Sequence, residues 1–466
     1  MSPMNGISQR LYNSLPPSLR SVAASGRGYY LRWWRYGLET EGLVDAALER
    51  DMWSERQWKT WQHGRLTDLL HRAATKVPYY REYWRRRRRT GDRASWDTLE
   101  HWPVLKKDAL RATPEAFVAE DCSSRRMLPF YTSGSSGKPL KLWISRTDDR
   151  FWYALFEARW RRWYGLSRSN RWAIVAGQLV TPISQRQPPY WVWNRGLNQL
   201  YMSSLHIGER TAKDYLNAMQ VYEIQYLYCQ SAAGALIARF GLEQDLDPPP
   251  LKAVITSAEP LFPHQREAIS QFFQCPVRAT YGMAERVLGA SECEAASMHA
   301  WPDAGILEVI DDDGDERVPE GHAGRFICTG LVNLNMPLIR YEVGDRGSVM
   351  PETTRCSCNR TLPVIDSIDG RLDDVIVTPD GRRVGRLSPA FKGAIAIHEA
   401  QVIQESEQLL RVLVVPAQGY SVKDAEAITS NLRDRVGNMQ IEIDEVSRIA
   451  RSATGKFRGV INNVVN

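Results

Sequence analysis

Between two apolar runs, Met127–Tyr131 and Leu140–Ile144, the chain reads YTSGSSGKPL over residues 131–140. Gly134 and Gly137 let backbone N–H groups turn inward on an anion. The hydroxyls of Thr132, Ser133, Ser135 and Ser136 add donors, and Lys138 adds a mobile positive charge. Together they make a loop that cradles a polyphosphate and closes over ATP rather than holding it rigidly. It is not a Walker A loop, because Thr132 stands where that motif needs Gly and Pro139 where it needs Ser or Thr. A Ser/Gly linker is the alternative, and the flanking apolar runs argue against it.

The rest of the chain fits around this loop as an α/β protein. Residues from Ile7 to about Arg89 read as largely helical, with long charged amphipathic stretches such as Val44–Ala73. Pro103-Val104-Leu105-Lys106-Lys107 opens the approach to the core. Phe151–Tyr164 reads as a helix, and Trp172–Ala176, Leu227–Cys229 and Ala253–Thr256 as buried strands. Helices at Ala212–Tyr222 and Ser231–Phe240 alternate with them, which indicates layers with largely parallel strands. Gly305–Ile310, Gly324–Thr329 and Leu338–Tyr341 read as a smaller β subdomain. After Asp373 the pattern changes to strands at Ala400–Glu405, Leu409–Pro416 and Met439–Val446 with a helix at Val422–Val436, a small α+β unit. The expected division is a helical Trp/Arg-rich region over 1–100, a core over 101–370 and a C-terminal lid over 371–466.

Five further motifs follow the loop in order. They are Ser257-Ala258-Glu259-Pro260-Leu261, Tyr281-Gly282-Met283-Ala284-Glu285, Arg340-Tyr341-Glu342-Val343-Gly344-Asp345, Gly370-Arg371-Leu372-Asp373-Asp374 and RSATGKFR over 451–458. With TSGSSGKP, this series resembles the adenylate-forming superfamily of acyl-CoA synthetases, peptide-synthetase adenylation domains and luciferases. The resemblance implies that Ser257 to Pro260 line the adenine pocket and that Tyr281 stacks on the base. Glu285 would help hold Mg²⁺, an ion that takes few protein oxygens beside nucleotide phosphates. Asp345 would accept the ribose hydroxyls, Arg371 would lie near the nucleotide, and Asp373 would be the hinge of the lid. Lys456 would reach the carboxylate and α-phosphate during adenylation. Ala284 departs from the pattern, since a Thr there usually donates to the α-phosphate.

Cys293 and His299 flank five residues, and Cys356 and Cys358 flank one. Three thiols and an imidazole suffice for tetrahedral Zn²⁺, although the spacing is not that of a zinc finger. Buried free thiols are the alternative. The same pattern occurs in the branch of the superfamily that resembles phenylacetate-CoA ligases and their relatives in capsule and exopolysaccharide gene clusters. Filled by four protein ligands, such a site is structural. Asn359 replaces a frequent Gly after the second thiol and tolerates the same left-handed turn.

Composition sets the remaining bounds. No apolar run approaches the roughly 20 residues of a membrane span, and the N-terminus lacks the apolar core of a signal peptide. No paired cysteine framework is visible, which suits a reducing cytoplasm. The net charge of +6 is uneven, and 13 of the 16 tryptophans precede residue 173. Arg85 to Arg89 follow Trp84, and Arg32 and Arg35 bracket Trp33 and Trp34. A solvated helix face beside packed aromatics and peripheral contact with an anionic membrane both fit this composition. No nucleic-acid-binding module is present, and homodimerisation stays open.

The resemblance implies an ATP-dependent, AMP-forming ligase that passes a carboxylic acid through an acyl-adenylate, with coenzyme A as co-substrate. The acid would be aryl or related, with His206, Tyr228 and Ser231 near it and Arg382 or Arg383 near CoA. Transfer to an amine, sugar or carrier protein is the alternative. A non-catalytic scaffold is the alternative of another class, favoured by Ala284 alone.

Overall fold

The computed structural model describes residues 11–132, 140–178, 180–371, 376–380, 383–384, 387–391, 396–451 and 457–464. Ser133 to Lys138, Asp373, Arg382 and Lys456 lie outside these residues, as do the side chains of Arg371 and Arg383. The chain divides into two compact units. One comprises Tyr30–Ser167 and Thr280–Ser367, the other Gln9–Tyr29, Arg168–Ala279 and Ile368–Asn466.

In the first unit, helices run over Thr40–Arg50, Glu55–Lys76 and Pro78–Arg89. The expected continuous stretch Val44–Ala73 is therefore broken. Ser54 accepts a bond from the Gln57 backbone, and the Gln57 side chain accepts one from Ser54 N in return, so a capping box starts a new helix there. Pro78 at a helix start separates the next one, since its missing N–H costs nothing in the first turn. Leu128–Tyr131 pairs antiparallel with Lys141–Ile144, so the apolar runs around the serine-glycine loop are the arms of a hairpin. The following helix is Arg146–Trp160 rather than Phe151–Tyr164, because Ser145 accepts from Asp148 N and caps it earlier.

Strands Gly305–Ile310, Gly324–Gly330 and Tyr341–Val349 form an antiparallel meander, joined through Val364–Arg371 to Met298–Ala300 and Gly289–Glu292. The expected strand Leu338–Tyr341 begins only at Tyr341. Arg340 sits at a φ of +45°, outside extended backbone. Its guanidinium is buried against Glu308 at 3.3 Å and the Trp102 carbonyl at 3.0 Å.

In the second unit, Gln199–Ser203, Trp172–Ala176, Tyr226–Gln230, Ala253–Ser257 and the start of Val277–Gly282 pair in parallel. Trp191–Asn194 adds an antiparallel edge. Helices Ser231–Glu243 and Pro263–Phe273 approach so closely that a Cβ on Gly241 would fall 2.3 Å from the Phe272 ring. Ala173, Leu200, Leu227, Val254 and Ile269 lie in the core between them. The C-terminal part is a four-stranded mixed sheet in the order Gln440–Glu445, Leu409–Pro416, Ile397–Gln404, Val460–Asn462, with helix Val422–Val436. The expected α/β class with a C-terminal α+β domain is what the chain adopts.

Candidate functional site

Two of the motifs meet in the first unit. Tyr281 ends the strand Val277–Gly282, and its hydroxyl donates to Asp345 Oδ2 at 2.8 Å, across 64 residues of chain. In return, the Tyr341 hydroxyl donates to Glu285 Oε1 at 2.9 Å. Each segment thus offers one tyrosine and one carboxylate to the other. Glu285 is buried, and Lys107 Nζ lies 3.1 Å from the same Oε1. The Lys107 ammonium and the Tyr341 phenol thus both lie against this buried carboxylate. A carboxylate is the ligand type that Mg²⁺ takes beside phosphates.

What holds Glu285 in place lies one residue on. Arg286 has φ +57°, and its guanidinium bonds Asp149 and lies 4.9 Å from the Phe130 ring centre and 5.5 Å from that of Tyr153. Burial pushes the Arg286 pKa down, and the Asp149 charge outweighs it, so the guanidinium stays charged. Gly282, Met283 and Ala284 lie between Tyr281 and Glu285, and Ala284 is exposed. At the neck of the serine-glycine loop, Leu140 N donates to Thr132 Oγ1 and Thr132 N to the Leu140 carbonyl, both at 3.0 Å. The Thr132 oxygen thus accepts from the loop's own backbone, closing its two ends.

The second cluster of this unit is Cys293, His299, Cys356 and Cys358, whose ligand atoms all lie within 4.8 Å of one another. Cys293 and His299 come from the turn and second arm of the hairpin Gly289–Glu292/Met298–Ala300. The other two come from a tight turn in which Asn359 N donates to the Cys356 carbonyl and Asn359 takes φ +64°. Cys293 Sγ is 3.6 Å from Cys356 Sγ, and Cys358 Sγ is 3.3 Å from His299 Nε2. A tetrahedral ion about 2.3 Å from sulfur and about 2.0 Å from nitrogen sets ligand edges of about 3.5–3.8 Å, so the four groups fit Zn²⁺. His299 Nδ1 donates to the Leu362 carbonyl at 3.1 Å, which leaves Nε2 as the lone-pair nitrogen facing the thiols. Burial pushes the Cys293 thiol up to about 12, despite N–H donors from Ser297 and Ala295. Cys356 is also raised by burial, but Ser297, Cys358 and His299 outweigh it and hold the thiol down to about 6. One thiolate is thus already favoured without a cation, and a cation would favour the others.

This cluster is bolted to a buried charge network. The Thr361 hydroxyl donates to the carbonyls of Asp51 and Trp53, and Trp163, edge-on to the His299 ring, donates to Asp51 Oδ2 at 2.7 Å. Asp51 and Asp303 are in turn paired with Arg159 and Arg50.

In the second unit, Ala258 takes φ +68° in the Ser257–Pro260 segment. The Glu259 carboxylate accepts from Phe457 N at 2.7 Å and from Ala232 N at 3.2 Å, and Ser231 Oγ lies 3.3 Å from the Glu259 carbonyl. Tyr228 sits mid-strand, edge-on to Trp172. Both nitrogens of His206 are engaged, Nδ1 with Ser203 Oγ at 2.9 Å and Nε2 with the Pro182 carbonyl at 3.2 Å. Its ring stacks on Tyr190, and burial lowers its pKa.

Residues 376–463 match the CapK C-terminal domain. Protein CapK of Staphylococcus aureus is 22% identical over 412 residues, covering 86% of this chain and 89% of that one. Phenylacetate-coenzyme A ligase of Thermus thermophilus is 24% identical over 455 residues, covering 86% and 95%. The structure of a 2-hydroxyisobutyryl-CoA ligase in its postadenylation state superposes with a TM-score of 0.69 at 20% identity, covering 89% and 91% of the two chains. Along most of its length the chain is thus similar to CapK and to a phenylacetate-CoA ligase, and it shares the fold of an acyl-CoA ligase.

Two features escape a sequence reading. Lys107 belongs to a recognisable PVLKK segment, but nothing in that segment points at Glu285. The Arg286–Asp149 pair joins residues far apart in the chain. The run Arg85–Arg89 is the expected helix face beside packed aromatics: Arg85 and Arg86 pair with Glu82, Arg87 pairs with Asp92, and Arg87 and Arg88 lie against the buried Trp84.

Proposed function

We propose that this protein activates a carboxylic acid with ATP and passes the acyl group to coenzyme A. The observation that carries this reading is the crossed pair of bonds Tyr281–Asp345 and Tyr341–Glu285, which holds together the residues that would stack on the base, accept the ribose hydroxyls and face the phosphates. The names of the relatives support the same chemistry, one being a phenylacetate-CoA ligase and another a 2-hydroxyisobutyryl-CoA ligase caught with an acyl-AMP.

A carboxylate oxygen attacks the α-phosphorus, the α–β bridging bond breaks, and pyrophosphate leaves with the electron pair. Two anions must meet in this step, so positive charge and N–H donors at the α-phosphate lower the barrier most. Lys456 and the loop Thr132 to Lys138 take that role. Tyr281 and the backbone of Ser257 to Pro260 hold the adenine, and Asp345 holds the ribose. Mg²⁺ arriving with the nucleotide would be held at Glu285 and neutralise phosphate charge. In the second half-reaction a thiolate attacks the acyl carbon and AMP leaves. The lid, residues 371–466 hinged at Asp373, exchanges Lys456 for Arg382 and Arg383 near the CoA phosphate between the two steps. Zn²⁺ at Cys293, His299, Cys356 and Cys358 is structural in this reading. An aryl or related acid would lie near Tyr228.

A second acceptor, a sugar, amine or carrier protein, would share the first half-reaction and differ only in the second; residues 376–463, which would meet the acceptor, match the CapK C-terminal domain.

The test is acid-dependent pyrophosphate release with ATP and Mg²⁺ over aryl, arylacetic, fatty, hydroxy and amino acids, each with and without CoA. Release that CoA enhances, with a thioester product, is the expected result. Release indifferent to CoA selects the second acceptor. The absence of release in metal-replete, ATP-binding protein overturns the ligase. Lys456→Ala is expected to cut adenylation by at least about a hundredfold while nucleotide binding persists.

A further inference from the structure

The helix Pro17–Arg35 packs on the protein through both apolar and polar side chains. Leu31 and Trp34 are buried, and polar groups are buried beside them. Arg20 is buried and donates to Thr181 Oγ1 at 2.6 Å and Gln185 Oε1 at 2.9 Å. Ser21 Oγ accepts from Trp193 N, and Ser25 Oγ accepts from Arg195 N, so the two serines cover the free edge of the strand Trp191–Asn194. Gly28 permits the contact, since a Cβ there would collide with the Asn194 side chain.

The outward face is apolar. Leu19, Val22, Tyr29 and Trp33 recur at helical spacing and are 49%, 65%, 51% and 54% exposed. Of all the exposed residues of this helix, only Ser18 and Arg32 carry polar side chains other than tyrosine. A helix that buries Leu31 and Trp34 and still leaves a row of four large apolar side chains outward offers that face to something outside the chain.

Charge selects the occupant. The 38 residues before Glu39 contain five arginines and no aspartate or glutamate; Arg20 is turned inward, and Arg32 is exposed beside the apolar row. Arg146 adds a further cation 3.8 Å from the Trp33 ring centre. A second copy of so basic a helix would be repelled, whereas an anionic lipid headgroup layer is attracted. Tyrosine and tryptophan beside aliphatic side chains match the boundary between headgroups and acyl chains. We infer that the exposed face of helix Pro17–Arg35 docks the protein on an anionic membrane surface without crossing it. No helix among the described residues is long and apolar enough to span a bilayer.

The experiment is co-sedimentation of the full chain with phosphatidylcholine vesicles and with vesicles containing phosphatidylglycerol, at low and high salt. Binding only to the phosphatidylglycerol vesicles is expected, weakened by salt and reduced at least about tenfold in Val22→Glu/Tyr29→Glu. These side chains point outward, so the melting temperature of the variant is expected to match the wild type. Arg32→Glu, which alters charge alone, is expected to weaken binding by less. Equal binding to both vesicle types, no binding to either, or binding unchanged in the double variant overturns the proposal. So does a wild-type dimer that the double variant dissociates in the absence of vesicle binding, which would place a second copy on this face.

Discussion

His299 and His264 are almost equally hidden, at 0% and 5% exposure, yet their surroundings have nothing in common. His299 has a carbonyl on one ring nitrogen and a thiol on the other. Neither ring nitrogen of His264 has a hydrogen-bond partner among the described residues. Its ring stacks on Phe262 at 5.8 Å and meets Phe391 edge-on. Burial, helped by the charge of Arg239, pushes its pKa down to about 3. Burial alone therefore does not mark a ligand histidine. The mark is an oriented ring with its free nitrogen aimed at other soft donors. One histidine turns a ring nitrogen to a cluster of thiols, and the other is kept neutral as an aromatic filler.

The sharpest way to break this comparison is to remove the metal site. Wild-type protein is expected to hold about one Zn²⁺ per chain by elemental analysis, and Cys356→Ser/Cys358→Ser to hold none. The variant should lose roughly 3–5 kcal/mol of stability to urea, because a buried cluster stripped of its cation leaves polar groups unpaired. His299→Ala should do nearly as much. Fully stable, metal-free wild type would reduce His299 to the same standing as His264.

The next largest effect is on pH dependence. His264 has a folded pKa below its unfolded value of about 6.5, so the unfolded state binds the proton more readily. Its stabilising contribution is complete above that value and is lost as pH falls towards 3. Between pH 7 and pH 5 this amounts to about 2 kcal/mol. His398, lowered chiefly by burial, acts in the same direction. His264→Phe should change stability at pH 7 by less than about 1 kcal/mol and flatten the acid slope, as read from urea melts at both pH values. An unchanged slope would mean that His264 is hydrated and is not the neutral counterpart of His299.

These two sites also separate what a sequence can convey from what it cannot. Cys293, His299, Cys356 and Cys358 are legible because soft ligands are rare and their types state their chemistry. Tyr281, Glu285 and Asp345 are legible as motif members, but the crossed tyrosine–carboxylate bonds are not, since each partner lies in a different segment. His264 lies in the helix Pro263–Phe273, where a polar-looking PHQRE start hides that its ring faces a core. Helix Pro17–Arg35 shows the same limit. Periodicity reveals a face but not whether it points inward. The break within Val44–Ala73 is hidden in the periodicity because a capping box at Ser54 and Gln57 outweighs the helical propensity around it.

The smallest effect tests whether the metal or its rim holds the first cluster together. Arg360 follows Asn359 and lies 4.3 Å from the Trp163 ring centre, with its guanidinium 2.6 Å from Glu294. This pair ties the two ligand turns across the outside of the cluster, one residue beyond Cys293 and two beyond Cys358. Glu294 is 56% exposed, so water screens the attraction and the side chain gives up freedom to form it. Glu294→Gln should therefore cost only roughly 0.2–1 kcal/mol and leave the zinc content unchanged. A loss as large as that of Cys356→Ser/Cys358→Ser would mean that the ion pair, rather than four converging ligands, sets the geometry. Zinc retention in Glu294→Gln, with loss in His299→Ala, would assign it to the ligands.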